Sequence, residues 1–253
     1  MEAKIMSNAP RPRVSVIVPC WNDGDALAGC LRTVNELDGI AEVIVADASA
    51  EPTCAQLAAS LGARVVRCEQ PNRGRQLNAG SSVASGEILL FQHVDTELTQ
   101  AHVNAIRHAL NGDGHVGGAF YRKFDPAHRM RQWLVPLVRW YNRRGGALYG
   151  DQSLFVRRDV FEMMGGFADI PLMEDVEFSR RLRRVGCVLL DPPVGASARR
   201  HRKLGSLRVT LQNLMIMTLY RCGVSPARLH RWYYARLAPS AFRPVATQGG
   251  RRE

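Results

Sequence analysis

"GEILLFQHVD" (residues 86–95) carries an unbroken apolar run, Ile88 to Phe91, that ends in a polar cluster at Gln92, His93 and Asp95. A run this short, opened by glycine and closed by polar residues, predicts a buried strand with its carboxyl end turned toward solvent. Upstream, "VSVIVP" (14–19), "AEVIVAD" (41–47) and "ARVVRC" (63–68) have the same form. Between them lie helix-like segments: Asp25 to Glu36, Pro52 to Leu61 with Gly62 as its stop, and Arg73 to Ala84 with Gly86 after it. Regular alternation of strand and helix predicts an α/β domain on a mostly parallel sheet flanked by helices. Ligands of such sheets bind at the carboxyl ends of the strands. Pro19 to Asp23, Asp47 to Ser49 and His93 to Thr96 all follow strands, so three clusters distant in sequence are expected to meet in one cleft.

After about residue 100 the pattern changes. A helix from Gln100 to Leu110 precedes "GGAFYRKF" (117–124), a strand candidate, and an aromatic, Arg-rich helix, "RMRQWLVPLVRWYNRR" (129–144), interrupted at Pro136. "LYGDQSLFVRRDVFEMMGGF" (148–167) predicts a strand and a short helix closed by two glycines. "PLMEDVEFSRRLRRVG" (171–186) sets Phe178, Leu182 and Val185 on one helical face, with Gly186 as the stop and Glu174 and Asp175 at the N-terminal end. Residues 1–13 and 238–253 read as flexible tails around one domain, 14–237, whose C-terminal part is a helical elaboration.

With 253 residues, 46% apolar and 23% charged, the composition is that of an ordinary soluble domain. No stretch approaches the ~20 apolar residues of a membrane span, and the N-terminus lacks the apolar core of a secretory signal, so the chain is expected in the cytoplasm. Six cysteines (20, 30, 54, 68, 187 and 222) lack any Cys-x-x-Cys spacing. Neither a zinc site nor a disulfide framework is expected of them, only reduced and mostly buried thiols.

The net charge of +11 is unevenly placed. Residues 1–125 carry 11 basic and 14 acidic side chains, whereas residues 126–253 carry 23 and 9. The second half suits an anion, whether a diphosphate, an anionic membrane or nucleic acid. Only three of the 34 basic residues are lysine, so an arginine-favouring genome explains part of the excess.

Six segments in order, "VSVIVPCWND", "EVIVADAS", "NRGRQLNAG", "ILLFQHVDT", "GDQSLFVRRDVFEMMGGF" and "MEDVEFSRRLRRVG", resemble family 2 glycosyltransferases of the GT-A (Rossmann-like) fold. The likeness spans about residues 14–225 and is nearest to small, stand-alone bacterial members. It implies an inverting transferase, of hexosyltransferase type, that moves sugar from a UDP- or GDP-sugar to an acceptor hydroxyl with Mg2+ or Mn2+. Residues 14–100 would then be the nucleotide half and 101–237 the acceptor half.

The resemblance assigns Pro19, Asn22, Asp23 and Asp47 to the base and ribose, where a carboxylate is a charge-assisted acceptor for base N–H groups. The family's Asp-Asp-Gly-Ser is here Asp47-Ala48-Ser49, without the second acid. Asp47 also suits a turn or helix cap. Arg73, Gly74, Arg75 and Asn78 map onto the donor-binding Asn-x-Gly…Asn-x-Gly pattern, with either arginine reaching phosphate; a glycine-capped surface helix explains the same residues. In place of the family's Asp-x-Asp stands His93-Val94-Asp95. Asp95 is the implied metal ligand, against a site without metal or the plain solvated end of a strand, while His93 orients it, touches ribose or binds Mn2+ itself. His201 is a further metal candidate, although a phosphate-contacting loop accounts for Arg199, Arg200 and Arg202 equally well. Asp175 is the implied general base with Glu174 beside it, against the plainer reading of two acids at a helix N-terminus. Gly150 would give the sugar room, and Asp151 and Gln152 would bind acceptor hydroxyls.

Two rivals remain at this level. A non-catalytic nucleotide-sugar or nucleic-acid binding protein would use the basic half, but no nucleic-acid motif is present and no nucleic-acid partner is expected. A nucleotidyltransferase would want a Gly-rich phosphate loop where "PCWNDGD" stands. The stretches "WLVPLVRWYNRR" and "NLMIMTLYRCG" (213–223) suit peripheral contact with the inner face of a membrane and a lipid-linked acceptor, and suit core packing or a dimer interface as well.

Overall fold

Val14, Val16 and Val18 on one side of the first strand and Ile17 on the other are all fully buried, so this strand must be covered on both faces. The computed structural model describes residues 12–112, 114–123, 135–196 and 206–234. Strand β1 (Val14–Cys20) pairs in parallel with β2 (Ile40–Asp47) and β4 (Ile88–Phe91), and β2 with β3 (Arg64–Arg67). Helices α1 (Gly24–Asn35), α2 (Thr53–Ser60) and α3 (Arg73–Ser82) make the connections. Leu27, Leu31 and Val34 of α1 and Ala58 of α2 share one core layer with Val14, Val16, Val18, Val43 and Val45. Leu77 of α3 lies in the other layer, with Ile17, Ile44, Leu89 and Phe91. Alternate residues of each strand thus feed opposite layers, as the pleat requires. At Gly80 a Cβ would stand 2.6 Å from Ile17 Cγ2, so α3 lies against the sheet only because that atom is missing.

The remaining elements are β5 (Thr96–Glu97), α4 (Gln100–Ala109), β6 (Gly117–Lys123), α5 (Val135–Arg143), a 3-10 turn at Gly150–Gln152, β7 (Phe155–Arg157), α6 (Arg158–Met163), α7 (Glu174–Val185), β8 (Cys187–Ala196), α8 (Ser206–Arg221) and α9 (Pro226–Trp232). The sheet has eight strands in the order β3-β2-β1-β4-β7-β6-β8-β5. Strand β7 runs antiparallel to β4 and β6, β8 parallel to β6, and β5 antiparallel to β8. Of the eight strands described, six (β1 to β4, β6 and β8) therefore point one way, as the mostly parallel expectation has it, and β7 and β5 run against them.

This topology positions the site. Strand β6 ends, and antiparallel β7 begins, at the edge where β1, β2 and β4 have their carboxyl ends, so the 3-10 turn between them is delivered there. Helix α7 leads into β8, which starts at the opposite edge, so α7 begins at the same carboxyl edge.

Strand β8, "CVLLDPPVGA", is absent from the sequence reading because Pro192 and Pro193 cannot donate to a ladder. It is accommodated by an irregularity in the register, with Phe120 opposite Leu190 and Arg122 opposite Val194. Pro136, expected to interrupt a helix, stands in the first turn of α5, where its missing N–H is harmless. Residues 129–134, His201 and nearly all of both expected tails lie outside the described residues. Among the described residues no helix is long and apolar enough to cross a membrane.

Four phenylalanines join the sheet to α6 and α7. Phe178 has its ring centroid 4.5 Å from Phe167, 5.5 Å from Phe161 and 6.4 Å from Phe91. It is fully buried. Phe178→Ala should lower the unfolding free energy by about 3–5 kcal/mol in urea titrations, the usual loss for a buried ring; a loss below about 1 kcal/mol would mean that the cluster does not anchor α7.

Candidate active site

The loops after β1 and β2 are tied together before any ligand arrives. Gln76 of α3 donates to the carbonyls of Cys20 and Ala46, both at 2.8 Å, and the Ala48 N–H donates to the Cys20 carbonyl at 3.0 Å. Asn22, at a φ of 51°, donates its N–H to Ser49 Oγ at 2.8 Å. The Asp47 carboxylate is fully buried and accepts from the Ser49 N–H at 2.9 Å and from the Arg67 guanidinium. Arg67 also donates to the Ser49 carbonyl at 2.7 Å.

Opposite these loops, Asn72 caps α3 by accepting from the Arg75 N–H at 3.1 Å, and Arg73 heads the helix. Its guanidinium donates to Glu174, to Asp175 Oδ2 at 2.7 Å and to His93 Nε2 at 2.9 Å. Residue 74 must be small for this approach, since a Cβ on Gly74 would meet the Ala168 carbonyl oxygen at 3.0 Å and Glu174 Cβ at 3.4 Å. Asp175 accepts further from the N–H groups of Gly150 and Val176, both at 2.7 Å. Arg73, His93, Gly150 and Asp175 line a small cleft with Pro19, Leu77, Gln92 and Leu154.

The electrostatics follow from burial and from one cation. Burial works to raise the pKa of Asp175, but the charge of Arg73 and the N–H donors outweigh it and hold the carboxyl below the usual range. Glu174 goes the other way, raised by burial and by the neighbouring Asp175. Burial, then the charge of Arg73, push His93 down to about 4. The ring is neutral near pH 7, with Nε2 accepting from Arg73.

Several expected site residues have other partners. The space at Gly150 is filled rather than open to a sugar, because a Cβ there would stand 2.8 Å from both Arg73 Nη2 and His93 Nε2. Arg75 makes a two-pronged pair with Asp169 at 2.6 and 2.7 Å on the surface. Asn78 holds the backbone of Phe167, donating at 2.8 Å and accepting at 2.9 Å. Gln152 is buried, donating to the Phe120 carbonyl at 2.9 Å and accepting from the Tyr149 N–H at 3.0 Å. Asp151 pairs with Arg122, which lies over the Tyr149 ring at 5.5 Å. Asp23 precedes α1 without a side-chain cap bond. Asp95 is not among the residues lining the cleft; burial first, then the Asp95 charge, push the Cys30 thiol of α1 up to about 12.

Arg67, Arg122 and Gln76 were not anticipated. Arg67 was accessible in principle, because it ends β3 directly across from Asp47, a cation against an acid on adjacent strands. Among the described residues, the non-glycine positions with positive φ are Asn22, Ser153 and Met173 (51°, 50° and 70°), and they flank the same cleft segments. Strain of this kind persists where the surroundings enforce it, often at functional sites.

The donor set fits a divalent cation only in a particular way. Asp95 offers one hard oxygen donor, and His93 Nε2 is committed to Arg73. Mg2+ and Mn2+ commonly sit on one or two carboxylates and complete their shell with phosphate oxygens and water. The residues described therefore suit a cation arriving with a diphosphate.

A family model described as "Glycosyl transferase family 2" matches residues 15–165. The uncharacterized protein MT1568 of Mycobacterium tuberculosis (strain CDC 1551 / Oshkosh) is 26% identical over 269 residues, covering 94% of this chain and 81% of its own. Among solved structures, the mannosyltransferase PcManGT of Pyrobaculum calidifontis, in complex with GDP-Man and Mn2+, matches with a TM-score of 0.60 at 22% identity, over 91% of this chain and 71% of that one. Glucosyl-3-phosphoglycerate synthase of Mycobacterium tuberculosis, with Mn2+, UDP and glucosyl-3-phosphoglycerate, matches with a TM-score of 0.57 at 20% identity, over 84% and 81%. Likeness at these identities establishes the fold, which is GT-A.

The His93 environment generates a pH prediction. The unfolded chain takes up this proton near the ordinary value of 6.5 and the folded chain only near 4, so the folded state binds fewer protons between them. Stability should fall as pH drops through that window. His93→Gln keeps an acceptor for Arg73 and removes the proton, so unfolding free energies measured at about pH 5 and about pH 7 should differ less in the variant than in the wild type. An equal difference would show that His93 titrates as it does in water.

Proposed function

The chain belongs to glycosyl transferase family 2, and we propose that it moves a hexosyl group from a UDP- or GDP-sugar to an acceptor hydroxyl with inversion at the anomeric carbon. One observation carries this reading: Asp175, buried yet held ionised at the carboxyl edge of the sheet by a cation that an incoming diphosphate can attract. The solved structures of this fold that hold GDP-Man or UDP with Mn2+ support the donor class.

In the proposed sequence the nucleoside lies over the loops after β1 and β2, with Pro19 and Asn22 beneath it and Asp47 accepting from the base or ribose. The diphosphate then draws Arg73, whose side chain is 31% exposed, away from the acidic pair. Asp175 loses its strongest stabilising charge and becomes more basic as the donor is seated. It accepts the proton of the acceptor hydroxyl while that oxygen bonds to the anomeric carbon and the bond to the diphosphate breaks on the opposite face. Asp151, on the 3-10 turn beside Arg122, is the acceptor-side group. Asp95, together with the diphosphate, would hold a Mg2+ or Mn2+ ion, which would supply Lewis-acid stabilisation of the leaving group. Trp140, 53% exposed with Arg144 stacked on its ring at 5.1 Å, and Leu211 and Leu214, 55% and 62% exposed, support peripheral contact with an anionic membrane and a lipid-linked acceptor.

Asp175→Asn preserves shape but not the proton acceptor. Its kcat/KM for transfer should fall by ~10²–10⁴-fold with nucleotide affinity nearly unchanged. A variant that retains more than about a tenth of the wild-type rate would place the base elsewhere. Mn2+ should raise the melting temperature weakly by itself and strongly with UDP or GDP, by mass action on the folded state. Asp95→Ala should abolish that synergy and His93→Ala should not, as calorimetry would measure; equal loss in both would make His93 a ligand.

A further inference from the structure

Cys20 and Cys54 share no metal-binding spacing in the sequence, and the fold brings them together with Asp47. Cys20 ends β1 directly beside Asp47 at the end of β2, and Cys54 stands in the first turn of α2. The two sulfurs and a carboxylate oxygen all lie within 4.8 Å of one another. The residues are 1%, 0% and 5% exposed, so the cluster is shut off from bulk water. We propose that Cys20, Asp47 and Cys54 bind Zn2+ through two thiolates and a carboxylate, at a site separate from Asp95.

The dimensions suit the ion. Zn–S bonds of about 2.3 Å and Zn–O bonds of about 2.0–2.2 Å put tetrahedral ligand atoms roughly 3.5–3.8 Å apart, a modest contraction of the cluster. The charges close as well. Two thiolates and Asp47 carry three negative charges, and Zn2+ with the Arg67 guanidinium carries three positive ones. Binding converts two thiols to thiolates and releases two protons, and water takes the fourth position. Sulfur ligands select Zn2+ over Mg2+ and Mn2+, so the ions of the two sites do not compete. A consequence rests on the proposed function: Zn2+ on Asp47 takes that carboxylate from the nucleoside, so Zn2+ inhibits donor binding.

The test uses the full chain without an affinity tag, reduced and stripped of metal. Co2+ should produce a thiolate charge-transfer band that saturates at one ion per chain, is bleached by one equivalent of Zn2+ and is accompanied by release of two protons. Cys20→Ser and Cys54→Ser should each remove the band, while Cys222→Ser, at an exposed cysteine, should keep it. At a urea concentration where the buried Cys20 and Cys54 of the metal-free wild type react, Cd2+ should also protect them from alkylation, read by mass spectrometry, which needs no variant to fold. Absence of the band, its persistence in the Cys20 or Cys54 variants, or unprotected alkylation of the pair would overturn the site. Nucleotide binding that is lost with Zn2+ and regained with chelator supports the inhibitory consequence. A wild type that gives the band but binds no UDP or GDP leaves the zinc site standing and defeats the donor reading.

Discussion

Two neighbouring carboxylates leave water together only if a cation goes with them, and Arg73 is that cation. Its partners were shaped around it. Gly74 lets α3 approach the segment before α7, Gly150 leaves room for the guanidinium, and the Gly150 N–H completes the shell of Asp175. Burial, and after it the same charge 2.9 Å from its ring nitrogen, keep His93 neutral near pH 7. Replacing the arginine by a neutral residue would leave charge buried without a partner, an arrangement far less favourable than the pair never having formed.

Chain direction determines which groups meet this cation. The four parallel strands present their loops at one edge, and the reversal at β7 returns the 3-10 turn and the start of α7 to that edge. The cleft at that edge therefore joins Pro19 of the first half to Gly150 and Asp175 of the second.

Much of this was legible in local pattern. Strand and helix alternation through residue 100 shows in period and punctuation, and Glu174 and Asp175 mark the start of α7 as acids at a helix N-terminus do. What could not be read were long-range partners. Asn78 and Gln152 look like ligand-binding amides, yet each satisfies backbone groups from another part of the chain. Arg67 meets Asp47 only through the pairing of β2 with β3. The cysteines lack a local metal spacing, and only the carboxyl ends of two strands and the first turn of α2 make them neighbours. Strand β8 was hidden because its prolines break the pattern and its register absorbs them.

Helix α3 is fastened at both ends to one stretch of the second half: Arg73 holds the start of α7, and Asn78 holds Phe167 before it. Recombination between homologues at the apparent border near residue 100 would therefore split a mated pair of surfaces. A chimera that borrows the second half should carry α3 along with residues 164–175, even though that helix falls within the first half by sequence. Swaps that respect this join keep the guanidinium matched to its acids, and swaps that ignore it ask two unrelated lineages to supply the same buried salt bridge.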